Sequence, residues 1–229
     1  MILTDKFLYI HKGKTGGDKF HQLMNIDKVF TDSIRYQTYW PNELGENTDP
    51  NKHHEYWASK RLLGSVIDSV EIIFGFRKLS SWLLSFANHH LYNRYIDDSV
   101  ALGHINAQLN KGFIPKHFMR NRINREETEE IEVDIYDDWT WMFADSFWNT
   151  YNQIKTKPKF IRQEYLLKDF NDKVAVPYYN IKLSEWTNNK INAFDKSDSP
   201  FKINDIETIY RNNPLWTKLE KELYDDQDS

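Results

Sequence analysis

Three of the eight glycines in this 229-residue chain fall within five residues, in the segment HKGKTGG at positions 11–17. The segment follows FLYI at positions 7–10, a short apolar run of strand-forming residues. After it, Phe20, Leu23 and Met24 recur at the spacing of a helix. The pattern therefore predicts a strand, a glycine-rich turn and a helix in succession.

A turn of this kind suits the binding of an anion. Glycines allow successive backbone N–H groups to point at one anion, and the helix N-terminus adds a favourable dipole. Lys14 supplies a positive charge and Thr15 a hydroxyl donor. The nucleoside-triphosphatase loop G-x-x-x-x-G-K-[ST] does not fit, because Leu8 stands where its first glycine belongs. The shorter loop suits one phosphate better than a polyphosphate, and an ordinary strand-to-helix turn fits the same residues.

A second strand is predicted at residues 70–76 (VEIIFGF), which lack polar alternation and so resemble a strand covered on both faces. Arg77 follows it directly. Because ligands gather at the carboxyl ends of parallel strands, we expect Arg77 to lie near the glycine-rich turn. Ser85, about two turns along the next helix, would then help Arg77 to hold a second phosphate. An arginine at a helix start and a serine on a polar face is the structural alternative.

The rest of the chain alternates between predicted strands and helices. Further helices are predicted at 54–67, 80–92, 96–109 and 139–151. A strand is predicted at 159–162 with a short helix after it, and a final helical stretch begins at Ile203 and breaks at Pro214. This alternation predicts an α/β fold of three layers, in which helices cover both faces of a mostly parallel central sheet. No linker or repeat interrupts the pattern, so we expect a single domain over residues 1–229.

Composition argues against several classes of protein. Asp and Glu outnumber Lys and Arg by 34 to 30, a net charge of −4, so we expect no nucleic-acid partner. The absence of cysteine excludes disulfides, thiol nucleophiles and zinc–thiolate sites. No signal-like or membrane-length apolar run occurs, so we expect a cytoplasmic chain without a membrane span. The sequence does not indicate an oligomeric state.

Taken together, these segments resemble the sulfotransferases that use 3′-phosphoadenosine 5′-phosphosulfate (PAPS), especially the carbohydrate-type branch. The loop at 11–17 is similar to the family's H-x-P-K-T-G-G, and residues 74–85 keep the arginine and serine spacing of its F-x-x-V-R-N-P-x-x-R-x-x-S signature. Weaker matches follow in family order. They are the helix at 53–64, FIRQEYL at 160–166, VPYYN at 176–180 and IETIY at 206–210.

The resemblance implies a P-loop-like strand–loop–helix that binds the phosphosulfate. Lys14, Thr15, Gly16 and Gly17 would hold the 5′-phosphosulfate, with Lys14 also stabilising charge on the bridging oxygen. Arg77 and Ser85 would hold the 3′-phosphate. No metal is implied, and the acceptor is a hydroxyl or amine on a saccharide or small molecule.

A general base for that acceptor is predicted at His53 or His54, which open the helix before the second strand. Glu55 and Glu164 are the alternatives, although Glu164 is also placed to pair with Arg162. A pair of surface histidines is the structural alternative for His53 and His54.

Three differences from the family pattern leave other functions open. Gly13 replaces the loop proline, Asp18-Lys19 replaces a Thr/Ser pair, and Lys78-Leu79 replaces Asn-Pro. An aspartate at position 18 would repel a phosphate unless it pairs elsewhere, which would suit a catalytically inactive binding protein. A nucleotide-dependent kinase is the other alternative, against which the missing triphosphatase spacing counts.

Overall fold

The computed structural model describes residues 1–37, 56–115, 140–148, 151, 154, 156–184 and 199–225. The chain divides into two compact units. We call Met1–Arg77 with Thr150–Ala193 the sheet unit, and Lys78–Asn149 with Phe194–Ser229 the helical unit. The single domain expected over residues 1–229 stays a prediction. The proposed bases His53, His54 and Glu55 lie outside the described residues.

The described residues contain seven strands and ten α-helices. The strands are β1 (Ile2–Leu3), β2 (Phe7–Ile10), β3 (Tyr36–Gln37), β4 (Glu71–Phe76), β5 (Phe113–Pro115), β6 (Trp141–Phe143) and β7 (Lys159–Arg162). The helices are α1 (Gly17–Met24), α2 (Lys28–Asp32), α3 (Tyr56–Leu63), α4 (Leu79–His90), α5 (Tyr92–Tyr95), α6 (Ser99–Leu109), α7 (Leu166–Phe170), α8 (Val176–Tyr179), α9 (Ile206–Arg211) and α10 (Pro214–Tyr224). Within these described residues, no helix is both long enough and apolar enough to cross a bilayer.

The sheet unit is built on a five-stranded mixed sheet in the order β3-β1-β2-β4-β7. Its three longest strands, β2, β4 and β7, pair in parallel, with Ile10 opposite Phe74 and Phe76 opposite Arg162. The predicted α/β class is therefore confirmed. The sheet is mostly parallel, as predicted, and its antiparallel pairings are those of β1 with β2 and with β3. Only three residues join β1 to β2, which permits a hairpin but not a crossover.

The core of the sheet unit lies between one sheet face and the helices that follow β2 and β7. Tyr9 stacks on Phe20 of α1 with ring centroids 3.7 Å apart, and Phe20 meets Phe170 of α7 edge-on at 5.4 Å. Each buried side chain of this size contributes about 1.5–3 kcal/mol of transfer free energy. The strand residues of the opposite face are also buried; they include Leu8, Ile10, Ile72, Phe74 and Phe76. Burial on both faces fits the unbroken apolar runs of these strands.

The helical unit has an aromatic core in which Trp82, Phe147, Trp148 and Trp216 are buried. The predicted helices at 80–92 and 96–109 are confirmed as α4 and α6, and the break at Pro214 separates α9 from α10. The helix predicted at 139–151 is wrong. There, β6 pairs antiparallel with β5, and a 3₁₀ turn follows at Ala144–Trp148. Pairing with a strand distant in sequence overrode the local helical spacing of the aromatic residues.

Candidate functional site

The loop between β2 and α1 has a backbone shape that suits an anion. Lys14 and Gly16 adopt left-handed conformations, with φ of 64° and 88°, whereas Thr15 between them does not have positive φ. Alternation of this kind turns backbone N–H groups toward one concave side. The left-handed conformation costs about 1–2 kcal/mol at a residue with a side chain, so Lys14 is strained where Gly16 is not.

Thr15 holds this loop closed. Its hydroxyl donates to the carbonyl oxygen of Lys12 at 2.7 Å, and its backbone N–H donates to the same oxygen at 3.3 Å. The side chain is buried. Thr15 therefore shapes the loop, and its predicted contact with a phosphate stays a prediction.

Two close contacts place the loop against the carboxyl ends of β4 and β7, and a third lies within the loop itself. A Cβ at Gly16 would collide with the side chain of Gln163, which follows β7, and a Cβ at Gly17 would collide with His11. In β4, a Cβ at Gly75 would lie 2.7 Å from Thr15 Oγ1. A glycine inside a strand often marks a place where another backbone approaches closely. The loop therefore lies over the two neighbouring strands.

Arg77, which directly follows β4, contacts the loop through its side chain. Its Nη1 donates to the carbonyl oxygen of Lys14 at 3.4 Å, a contact between residues 63 positions apart. Arg77 and Lys14 are both half-buried. The Arg77 guanidinium thus reaches the backbone of Lys14, so the two residues that the sequence assigns to neighbouring strand ends lie at one edge of the sheet.

Lys19, the third residue of α1, is a further cation at this edge. Burial and the charge of Arg77 together lower the pKa of its ammonium group below the ordinary value. The sequence reasoning noted Lys19 only as a departure from the family pattern. The signal that could have identified it is a lysine in the first turn of a helix, where the helix dipole disfavours a cation.

Asp18, the one acidic residue in the first turn of α1, is directed toward His11. Its Oδ1 lies 3.9 Å from Nδ1 of the buried His11. The Asp18 charge also adds to the effect of burial in raising the pKa of the neighbouring Tyr9. This separation exceeds hydrogen-bond distance, so Asp18 still opposes a phosphate at the loop.

Arg162 lies in the segment that resembles the family's I-R-x-E-x-L element, and its side chain is buried and bonded within the sheet unit. Its Nε and Nη2 donate to the Asp169 carboxylate at 2.8 and 2.6 Å, and its backbone N–H donates at 2.8 Å. Lys173 reaches the same carboxylate at 3.1 Å. Asp169 of α7, which the sequence reasoning missed, is thus the buried partner of Arg162. Glu164 is exposed in the 3₁₀ turn after β7.

The remaining predicted residue, Ser85, lies half-buried on α4 of the helical unit, and its role stays a prediction. In the sheet unit, the donors at this edge belong to the basic residues Lys14, Lys19 and Arg77 and to the N–H groups of the loop, and Asp18 lies beside them in the first turn of α1. Such a set of donors suits a phosphate or sulfate group. Among the described residues, no group of three His, Asp or Glu side chains is arranged to hold a metal ion.

Comparisons of the chain with protein-family models, curated proteins and solved structures give no significant match. The functional assignment therefore rests on the residues of this chain and on their arrangement.

Proposed function

We propose that this protein is a PAPS-dependent sulfotransferase that transfers a sulfuryl group to a hydroxyl or amine of a saccharide or small molecule. The observation that carries the proposal is the contact between Arg77 and the backbone of Lys14. Lys14 and Arg77 occupy the motif positions at which the resembled family binds the 5′-phosphosulfate and the 3′-phosphate of PAPS. Because the loop and the end of β4 are in contact, both can bind the same nucleotide.

When bound, PAPS supplies an activated sulfuryl group whose S–O bond to the 5′-phosphate breaks as the acceptor oxygen or nitrogen bonds to sulfur. Lys14 and the N–H groups of Gly16 and Gly17 stabilise the charge that develops on the phosphate oxygen. Arg77 binds the 3′-phosphate and thereby fixes the nucleotide relative to Lys14. His53 or His54 takes the proton of the acceptor, a role that rests on the sequence alone.

Thermal unfolding with two nucleotides tests the proposal. Adenosine 3′,5′-bisphosphate should raise the Tm, because a ligand that binds only the native state stabilises it by RT ln(1 + [L]/Kd). ATP with magnesium should give little or no shift. A shift with ATP and magnesium alone would support a kinase, and no shift with either nucleotide would support a protein that does not bind nucleotides.

Variants then locate the binding site. Lys14→Ala and Arg77→Ala should each lose most of the Tm shift with the bisphosphate. Lys28→Ala and Arg35→Ala are matched controls, because both residues are exposed in the same unit on other elements. Binding in Lys14→Ala or Arg77→Ala at the level of the controls would remove that residue from the site. Transfer of labelled sulfate from PAPS to a panel of sugars and small alcohols would then test the activity itself.

A further inference from the structure

The 3₁₀ turn Gln163–Tyr165, which directly follows β7, carries three different side chains beside the glycine-rich loop. Its first residue, Gln163, touches that loop, since a Cβ at Gly16 would collide with the amide oxygen of Gln163. The next two residues, Glu164 and Tyr165, are exposed. Because ligands of α/β sheets bind at the carboxyl ends of parallel strands, the turn is placed to contact a ligand that lies next to the loop.

Tyr165 offers an aromatic face in a fixed orientation. The Cζ of Arg162 lies 4.6 Å from the centroid of the Tyr165 ring, the geometry of a cation–π contact. Arg162 is itself buried and donates to the Asp169 carboxylate through Nε and Nη2. Tyr165 nevertheless remains 40% exposed. A ring that rests on a fixed guanidinium loses little freedom when a ligand stacks on its exposed part.

The amide of Gln163 adds a hydrogen-bond acceptor at the same place. Its Oε1 is buried and, among the residues that the structure describes, makes no hydrogen bond. A buried acceptor without a donor is unfavourable, and a hydroxyl group of a ligand would satisfy it. Since Gln163 contacts Gly16, that hydroxyl group would lie beside the loop.

We infer that the turn Gln163–Tyr165 binds one pyranose ring of a saccharide acceptor. Tyr165 stacks on the sugar ring, and Gln163 and Glu164 accept hydrogen bonds from its hydroxyl groups. A pyranose presents C–H groups on its faces, which suit the negative face of an aromatic ring, and hydroxyl groups around its rim. An open-chain alcohol or amine has no such face. The inference rests on the proposed function in placing the sugar beside the bound PAPS, and it deepens that function by naming the acceptor class and the residues that bind it.

Saturation-transfer NMR with the full chain tests the inference. The probes are the methyl β-pyranosides of glucose, galactose, N-acetylglucosamine and glucuronic acid, with glycerol as the open-chain control. Wild type should transfer magnetisation to at least one glycoside, most strongly to the C–H protons of one ring face, and not to glycerol. Tyr165→Ala should raise the Kd of that glycoside about three- to tenfold, whereas Tyr165→Phe keeps the ring and should stay within about twofold. The absence of transfer to all of these glycosides would overturn the inference.

Further variants test the polar contacts and the specificity of the ring. Gln163→Ala and Glu164→Ala should each raise the Kd of the glycoside about two- to tenfold, the range of one hydrogen bond. Tyr36→Ala is the matched control, because Tyr36 is 37% exposed on β3 of the same unit, and it should leave the Kd unchanged. Equal losses in Tyr36→Ala and Tyr165→Ala would contradict a site at this turn. Thermal unfolding without ligand verifies that each variant is folded.

Titration with adenosine 3′,5′-bisphosphate separates failure of this inference from failure of the proposed function. Tyr165→Ala should bind the nucleotide as wild type does. If this variant weakens the nucleotide as much as the glycoside, the ring binds adenine, and the inference is wrong while the sulfotransferase proposal stands. If wild type does not bind the bisphosphate, the sulfotransferase proposal fails, and the glycoside titrations alone decide whether the turn is a sugar site.

Discussion

Gly75 of β4 lies directly against Thr15 of the loop: a Cβ at this glycine would be 2.7 Å from Thr15 Oγ1 and 2.8 Å from the Thr15 carbonyl oxygen. The same Cβ would be 2.8 Å from the hydroxyl of Tyr9. Because two of these three atoms belong to the loop that carries Lys14, a side chain at position 75 would have to displace that loop.

We expect Gly75→Ala to weaken binding of adenosine 3′,5′-bisphosphate at least tenfold and to lower the free energy of unfolding by about 1–3 kcal/mol, the usual effect of overpacking. Calorimetric titration and urea unfolding measure the two effects. Gly103→Ala in α6 is the control, because a Cβ there meets no atom within 4 Å. It should stabilise its helix by up to about 1 kcal/mol and leave affinity unchanged. Unchanged affinity in Gly75→Ala would show that the loop position does not govern binding.

Substitutions at Lys14 should separate backbone strain from charge. Lys14 has φ of 64°, so glycine at this position relieves strain that alanine retains. We expect Lys14→Gly to unfold with a free energy about 1 kcal/mol higher than that of Lys14→Ala, while both lose nucleotide binding. Urea unfolding of the two variants measures the difference. Equal stabilities would indicate that the loop relaxes when the lysine is removed.

Removal of the Asp18 charge should favour an anion at the loop. We expect Asp18→Asn to strengthen bisphosphate binding by roughly two- to tenfold at low salt, with a smaller gain at 0.5 M salt because screening weakens the repulsion. Asp5→Asn changes the net charge equally but lies in the turn before β2, at the opposite end of that strand. It should leave the affinity unchanged. An equal gain in both variants would mean that only the net charge of the protein matters.

Asp169 should make stability depend on pH in the acid range. Burial opposes ionisation of Asp169, but the hydrogen bonds of Arg162 and the charge of Lys173 outweigh it and hold the pKa of this carboxyl below its ordinary value. Its contribution is therefore complete above the unfolded-state pKa, about 3.9, and is lost as the pH falls through the lower folded-state pKa. We expect Asp169→Asn to be about 3–5 kcal/mol less stable at pH 7, because Arg162 is left buried without its partner.

The difference between wild type and Asp169→Asn should shrink as the pH falls below about 4, as measured by urea unfolding from pH 7 to pH 2. Asp172→Asn is the control, since Asp172 pairs with Lys168 at 2.7 Å on the exposed side of the same helical segment. It should cost no more than about 0.5 kcal/mol at any pH. If the difference in unfolding free energy between wild type and Asp169→Asn stayed constant with pH, the assigned charge state of Asp169 would be wrong.

The central strands and the loop could be predicted from the sequence because their signals are local. Residues 7–10 and 70–76 are apolar runs, and the glycines after the first run mark a turn. Ile2–Leu3 and Tyr36–Gln37 were missed, since a two-residue strand has no periodicity of its own and depends on its partner. The strand at Trp141–Phe143 was mistaken for a helix for the same reason: its partner lies at Phe113–Pro115.

The site was only partly predictable. Lys14 and Arg77 could be assigned to one sheet edge because each follows a parallel strand, and strand ends of one direction share an edge. The partnership of Arg162 with Asp169 depends on how the chain turns from β7 into α7, which residue spacing does not determine. The effect of Arg77 on the pKa of Lys19 depends in the same way on the direction in which α1 leaves the loop.

The bonds from Thr15 to the Lys12 carbonyl have a kinetic consequence for any ligand of the loop. Because these bonds within the loop hold its shape without help from a ligand, a nucleotide that binds loses conformational freedom of its own but orders little of the protein. Capture should then take place in one step, with an observed rate that increases linearly with nucleotide concentration and does not level off. Added salt should slow association more than release, since long-range attraction by Lys14, Lys19 and Arg77 guides the approach.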